Sequence, residues 1–405
     1  VTEPLELKAW SRVECDLSHR EAAAIRQTGL VEVHATPETG RWRLESASRV
    51  GVATGPTWEL RVQPRIEVPQ LLFLLAYATD SEGWKDEVAP FSAESQLLDA
   101  VAAGFSWHAL RSVERGLLRG YVSVDERLRT IRGRIRFADQ IARHANLPLP
   151  LEVSYDDYTA DIVENRILKS ATTALLRLPH VPAPARRRLF KLRALLDNVE
   201  PLERPYESEL PVFTRLNQSY RPALTLAHLV LRGASVGADR GTTDSVAFSF
   251  DMNRVFEDFL SVALREALAP YGGELRTQLA DSLDWDGRVP IRPDITWWLN
   301  GEPVAVVDAK HKQLKLSGSP GEDAYQMLAY CTALDLDRGY LVYAAHSGAD
   351  VRDLSLKNVE CEISVRTVDI RKQPDRLLSE VESLAAEIAE EARVEPRAGV
   401  AAIPA

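Results

Sequence analysis

The sequence predicts a multi-domain α+β protein with a β-rich N-terminal part, a mainly helical middle and a C-terminal α/β part. Three observations carry that reading. The chain has 405 residues, which at roughly 100–200 residues per domain means two or three domains. Hydropathy alternates with period two in short runs before residue 68, then follows helical spacing, and after residue 246 switches between the two. Clusters of Gly, Pro and Thr punctuate the runs. The expected segments are 1–68 (β-rich), 69–245 (mainly helical with a short β segment), 246–393 (α/β) and a frayed tail over 394–405.

In the first segment, Leu30–His34 and Trp58–Val62 alternate as strands, with turns at Thr36–Gly40 and Thr54-Gly55-Pro56, so a compact barrel or small sheet is expected. Helical periodicity takes over after Pro69, with Leu97, Val101, Phe105 and Leu110 on one side and breaks near Gly83 and Pro90. Residues 121–137 return to strand alternation, and helices resume through about 235. Gly233–Thr243 reads as a linker or long loop. Asp251 is a suitable N-cap for a helix burying Met252, Val255, Phe256 and Phe259. Strands are expected over Asp294–Leu299, Pro303–Asp308, Gly339–Ala344 and Glu362–Val368. Helices are expected around Met327–Leu334 and from Pro374.

Composition excludes several classes. The longest apolar run, Leu71–Ala78, is far short of the roughly 20 residues that span a bilayer, so no membrane segment is expected and the expected location is the cytoplasm. The formal net charge of −10 does not suit a chain that grips DNA alone, since such affinity comes largely from Lys and Arg neutralising phosphates. Cys15, Cys331 and Cys361 stand far apart, which excludes a disulfide scaffold and a cysteine zinc site. No P-loop, G-x-S-x-G or G-x-G-x-x-G pattern occurs.

The chemistry concentrates in Arg292-Pro293-Asp294 and Val304–Lys310. Side chains alternate along a strand, so Asp308 and Lys310 share a face while Ala309 points away. Asn300-Gly301 turns the strand after Asp294 back as a hairpin partner, bringing Asp294 towards the same edge. Two facing carboxylates repel unless a divalent cation lies between them. Oxygen ligands suit Mg²⁺, and a nearby Lys⁺ is suited to orient water and stabilise charge on a phosphate. D-x-K triplets are common, and a surface ion pair at strand positions i and i+2 is the more ordinary account of Asp308 and Lys310 taken alone. Glu257 offers either a further carboxylate or an ordinary acid in an early helical turn. Gln326 and Tyr330 share a helix face. Gln326 suits positioning of a phosphate or water, or an ordinary polar helix position. Of Trp297 and Trp298, alternation puts one ring in the core. Arg132, Arg134 and Arg136 are expected along one face of a strand, able to grip phosphates or an acidic partner, or simply solvated.

Several segments in order resemble the McrC family, the nuclease subunits of McrBC-type modification-dependent restriction systems. They are Val62–Ile66 before Leu74–Ala78, Leu118–Tyr121 before Ile131–Ile135, Asp161 with Asn165–Lys169, Arg215–Asn217 before Tyr220, Met252–Phe259, Pro293-Asp294 with Asp308–Lys310, and Tyr325–Tyr330. The resemblance spans about residues 50–345. It implies a PD-(D/E)xK nuclease domain at 246–393, with Asp294, Asp308 and Lys310 as the catalytic set. Gln326 joins the expected catalytic residues, and Asp294, Asp308 and Glu257 are the expected Mg²⁺ ligands. It also implies a hexameric McrB-like AAA+ ring that binds GTP, recognises methylated cytosine and translocates double-stranded DNA, while the McrC chain docks, stimulates the GTPase and cuts. The 1–68 segment is the expected docking part. His311 stands where Tyr commonly follows the catalytic Lys. Two other functions compete: a non-catalytic adaptor of the ring, and a stand-alone repair nuclease.

Overall fold

The fold is that of a computed structural model, which describes residues 4–82, 96–143, 149–179, 181–204, 209–238, 246–311, 321–344, 352–357, 359 and 361–393. The expected breaks at Gly83 and Pro90 and the tail 394–405 lie outside the described residues. The structure is mixed α+β and splits into two compact units, Val1–Ala100 with Val236–Ala405, and Val101–Ser235. The first unit holds both the N-terminal strands and the C-terminal part.

The chain opens with β1 (Leu5–Lys8), β2 (Arg12–Asp16), α1 (His19–Thr28), β3 (Glu32–Ala35), β4 (Arg41–Glu45), β5 (Arg49–Thr54), β6 (Glu59–Gln63) and α2 (Val68–Thr79). Helix α1 was not expected in a β-rich segment. Its start is set by a capping box, in which Ser18 Oγ accepts from Glu21 N–H and the Glu21 carboxylate accepts from Ser18 N–H. In place of one barrel or one small sheet there are two small sheets, β2-β4-β3 and a second that begins β1-β6-β5. Ile25, Leu44, Leu60 and Val62 pack in their common core.

The second unit continues with α3 (Leu97–Val113, which begins in the first unit), β7 (Gly120–Leu128), β8 (Arg134–Ile135), α4 (Phe137–Arg143), β9 (Leu151–Thr159), α5 (Val163–Arg177), α6 (Ala183–Leu195) and α7 (Arg221–Ala238). Four sequence expectations are corrected here. Helices do not run unbroken to 235, because β9 forms the centre of the sheet β7-β9-β8. Residues 121–137 are not one strand: Gly133, at φ 68°, breaks the run, its position pressed against Ser154 O where a Cβ would lie at 2.3 Å. Arg132, Arg134 and Arg136 therefore do not line one strand face, and only Arg134 is in β8. Arg132 Nη2 donates to Asp157 Oδ1 at 2.6 Å, and Arg136 pairs with Asp125 at 3.4 Å and with Asp139. The expected linker at 233 begins as the last turns of α7, and residues 239–245 lie outside the described residues.

The polar residues that carry the family resemblance in this unit tie backbone together. Asn165, fully buried, donates to Leu118 O at 2.8 Å and Ala160 O at 2.7 Å. Arg166 grips Asp161 through two bonds, and Tyr220 Oη accepts from Leu118 N–H at 2.8 Å. Buried amides left without such partners would cost about 1–3 kcal/mol each.

The chain then re-enters the first unit with β10 (Val246–Asp251), α8 (Met252–Leu268), β11 (Glu274–Thr277), β12 (Asp281–Ser282), β13 (Pro290–Ile291), β14 (Ile295–Leu299), β15 (Glu302–Lys310), α9 (Gly321–Leu334), β16 (Arg338–Ala344), β17 (Arg352–Ser355), β18 (Glu362–Val368) and α10 (Pro374–Glu391). Strand β10 pairs antiparallel with β5, completing the sheet β1-β6-β5-β10. Gly51 permits that approach: any Cβ there would meet Phe248 O at 2.1 Å. Asp251 caps α8 as expected, accepting from Asn253 N–H at 3.0 Å. Helix α8 packs on α2 through Phe73, Tyr77 and Phe259, whose ring centroids lie 5.4–5.8 Å apart. The main sheet runs β11-β14-β15-β16-β18-β17, with β15, β16 and β18 mutually parallel and the rest antiparallel.

Candidate active site

The hairpin β14–β15 builds one side of the site. Its two turn residues, Asn300 and Gly301, have φ 52° and 90°, the left-handed pair that suits a tight hairpin. The resulting register sets Ile295 opposite Val307 and carries Asp294 to the edge where Asp308 stands. Asp294 Oδ2 accepts from the backbone N–H of Ala309 at 3.0 Å. Alternation along β15 puts Asp308 and Lys310 on one face, where Lys310 Nζ contacts Asp308 Oδ2. Helix α9 supplies the rest: Lys310 Nζ donates to Gln326 Oε1 at 3.0 Å, and Gln326 Nε2 donates to Tyr330 Oη at 2.6 Å. Tyr330 Oη in turn donates to Arg292 O at 3.1 Å.

Four expected residues, Asp294, Asp308, Lys310 and Gln326, are thus brought together from distant positions in the chain. Glu257 on α8 reaches the same cluster indirectly, through Gln278. The Gln278 carboxamide nitrogen donates to Glu257 Oε1 and to Asp294 Oδ1, the latter at 3.0 Å. Gln278 was not read from the sequence. It lies 21 and 16 residues from its two partners and belongs to no local pattern. Asp323 was also missed. It is buried and accepts from Tyr343 Oη at 2.5 Å.

Electrostatics set the site apart. Asp308 is 1% exposed, and burial followed by repulsion from Asp294 pushes its carboxyl well above the ordinary range. Glu257 is pushed up to about 7, first by burial and then by Asp294, with Gln278 acting in the opposite direction. Burial works to lower Lys310, but the negative charges of Asp308, Asp294 and Asp323 outweigh it and hold the ammonium protonated. Tyr330 is raised by burial and by the same two aspartates. Asp308 Oδ2 is buried and receives no well-aligned hydrogen bond despite its ion pair with Lys310. A buried carboxylate in that state is costly, and a cation would relieve it.

Among the described residues, no three His, Cys, Asp or Glu side chains are gathered as a ready metal-ligand group. Asp294 and Asp308 are the pair that suits a hard cation, and Mg²⁺ needs only one or two carboxylates beside its waters. The two tryptophans divide as expected. Trp297 is buried with its N–H on Gly272 O at 2.9 Å, and Trp298 has Arg276 stacked over its ring at 4.3 Å. His311 is buried, 6.5 Å from the Phe256 ring.

Residues 44–344, well over half of the chain, match the family described as McrBC 5-methylcytosine restriction system component. The chain belongs to this family. No curated protein matches it. Among solved structures it is similar to a chain of the refined half-complex from the tetradecameric assembly of Thermococcus gammatolerans McrB AAA+ hexamers with bound McrC. That match has a TM-score of 0.58 at 17% identity and covers 95% of this chain and 100% of that one. A chain of the Thermococcus gammatolerans McrBC complex matches with a TM-score of 0.38 at 18% identity, covering 67% of this chain and 89% of that one. At such low identity the first of these shows a shared fold. Among the described residues, no helix of this family member is long and apolar enough to cross a membrane.

Proposed function

We propose that this chain is the endonuclease subunit of a GTP-dependent restriction complex, cutting DNA that contains methylated cytosine by Mg²⁺-assisted phosphodiester hydrolysis. In this reading it docks on and stimulates a hexameric McrB-like AAA+ GTPase in the cytoplasm. GTP is bound by that ring, and the N-terminal β-rich segment provides the docking part. The observation that carries the nuclease reading is the meeting of Asp294, Asp308, Lys310 and Gln326 at one sheet edge, with Asp308 Oδ2 buried and short of donors. Family membership supports modification-dependent restriction. The similar structure from Thermococcus gammatolerans contains McrC bound to McrB AAA+ hexamers, which supports the ring partner.

The residues divide the work of a PD-(D/E)xK centre. Asp294 and Asp308 would hold Mg²⁺, which would supply polarisation of the scissile phosphate and a more nucleophilic water. Lys310, kept protonated by its carboxylates, orients the attacking water and stabilises negative charge growing on the phosphate. Gln326 fixes Lys310 through its carbonyl oxygen, and Tyr330 anchors Gln326 to the Arg292 carbonyl. An adaptor of the ring would have no use for this paired, half-compensated charge.

The test is cleavage of methylated and unmethylated plasmid with Mg²⁺, GTP and the GTPase partner, using wild type and Asp308→Ala. Cutting of methylated plasmid alone, lost in Asp308→Ala while GTP turnover remains stimulated, is the expected result. Stimulated GTP turnover with no cutting by wild type would overturn the nuclease assignment.

A further inference from the structure

Gln278 follows β11 with φ 52°, a left-handed conformation that costs energy for a residue bearing a long side chain. Such strain persists where surrounding contacts determine it, and here they are specific. Gln278 N–H donates to Asp294 O at 2.9 Å. Its carboxamide nitrogen spends both hydrogens on carboxylates from two other elements, Glu257 Oε1 on α8 and Asp294 Oδ1 ahead of β14. The remaining oxygen of Asp294 is held by Ala309 N–H at 3.0 Å. Asp294 is therefore fixed at both oxygens, one from β15 and one through Gln278. Glu257 connects to the centre through the same amide, and no hydrogen bond or ion pair joins it to Asp308.

A neutral donor is the right group for this position. Glu257 and Asp294 are two acids held by one carboxamide, and a lysine there would form a direct ion pair competing with any cation at Asp294. An amide holds both acids without neutralising either. Partners that orient a ligating carboxylate are the usual second layer of a metal centre.

We propose that Gln278 is a positioning residue of the nuclease centre, fixing Asp294 for a divalent cation, and that Glu257 acts on the site through Gln278 and not as a cation ligand. The inference rests on the nuclease reading above.

Mn²⁺ binding to the full chain, measured by titration calorimetry, tests it apart from turnover. Gln278→Gly accepts the left-handed backbone without the side chain. Gln278→Asn tolerates that backbone too, but its amide is one methylene short of spanning both acids. Each is expected to weaken Mn²⁺ binding about 10–100-fold, the usual cost of losing such a partner. In cleavage assays with the GTPase partner, each is expected to raise the Mg²⁺ needed for half-maximal rate more than it lowers the rate at saturating Mg²⁺. Glu257→Ala is expected to weaken binding less, and the Glu257→Ala, Gln278→Gly double variant no more than Gln278→Gly alone, because both act through one connection. Wild-type affinity in Gln278→Gly, or effects of Glu257→Ala and Gln278→Gly that multiply, overturns the proposal. Asp308→Ala in the same titration separates the two levels. Loss of Mn²⁺ binding there keeps the nuclease reading, so a silent Gln278→Gly counts against the bridge alone. Undiminished binding in Asp308→Ala overturns both.

Discussion

Two buried carboxylates in this chain live under opposite regimes. Glu152, in the central strand of the second unit, is as buried as Asp308, yet Arg127 and Arg143 reach its two oxygens at 3.0 and 3.4 Å. Both arginines are about half exposed, so the negative charge is answered by cations that keep much of their hydration. Asp308 faces another carboxylate, has one lysine, and has an oxygen without a well-aligned donor. Equal burial with unequal compensation separates an acid that holds structure from one that is held ready for a ligand. The same contrast reaches the arginines once considered for phosphate contact. Arg132 and Arg136 already spend their charge on Asp157, Asp125 and Asp139, and Arg132 also lies over the Tyr155 ring at 3.8 Å.

The largest expected effect lies in the uncompensated cluster. Asp308→Ala should lower cleavage by about 10³-fold or more, while the melting temperature falls less than in Glu152→Ala, because loss of the partner of Lys310 is offset by removal of a buried carboxylate oxygen that lacks a well-aligned donor. A drop in melting temperature comparable to that of Glu152→Ala would erase the distinction between the two acids. Gln326→Ala should cost cleavage about 10²-fold, since it releases Lys310 from its geometry without removing charge. Glu152→Ala should leave cleavage per folded molecule unchanged and cost about 2 kcal/mol of stability in chemical denaturation, through two lost charge-assisted hydrogen bonds.

A subtler test uses pH. Glu257 rises from its ordinary 4.5 to about 7 on folding, so between those values the folded chain holds a proton that the unfolded chain has released. Stability without divalent cation should therefore fall as pH rises through that window. Melting curves at pH 5 and pH 7.5 check this, and Glu257→Gln should reduce the difference to the share carried by Asp308, whose carboxyl is also raised. Smallest of all, Arg136→Ala should change stability by about 1 kcal/mol, because Arg136 is partly buried but its partners Asp125 and Asp139 stay partly solvated. A tenfold loss of ring or DNA binding in that variant would show that Arg136 trades its internal acids for an outside partner.

The site was legible where chemistry follows local periodicity. Strand alternation put Asp308 beside Lys310, the Asn300-Gly301 turn brought Asp294 across, and helical spacing joined Gln326 to Tyr330. Gln278 was invisible for the opposite reason: its meaning is a left-handed backbone and two partners in other elements. Helix α1 had a local signal in Ser18 and Glu21 that the surrounding strand pattern masked. Strand β9 alternates apolar and polar residues only over Leu151–Asp156 and loses phase at Asp157-Tyr158, a short signal set among helices. The pairing of β5 with β10 has no local signature at all, because strand partners far apart in the chain are chosen by the finished core.

That last pairing bears on how the protein is made. Strand β5 lies between β6 and β10, and its β10 partner is synthesised almost two hundred residues later. At about 5–20 residues per second, the growing chain carries an open strand edge for on the order of ten seconds or more. An unpaired edge is a template for wrong strands, in the same chain or another. At Gly51 that edge accepts a backbone so close that any Cβ would meet Phe248 O, so a side chain there would block the β10 partner itself.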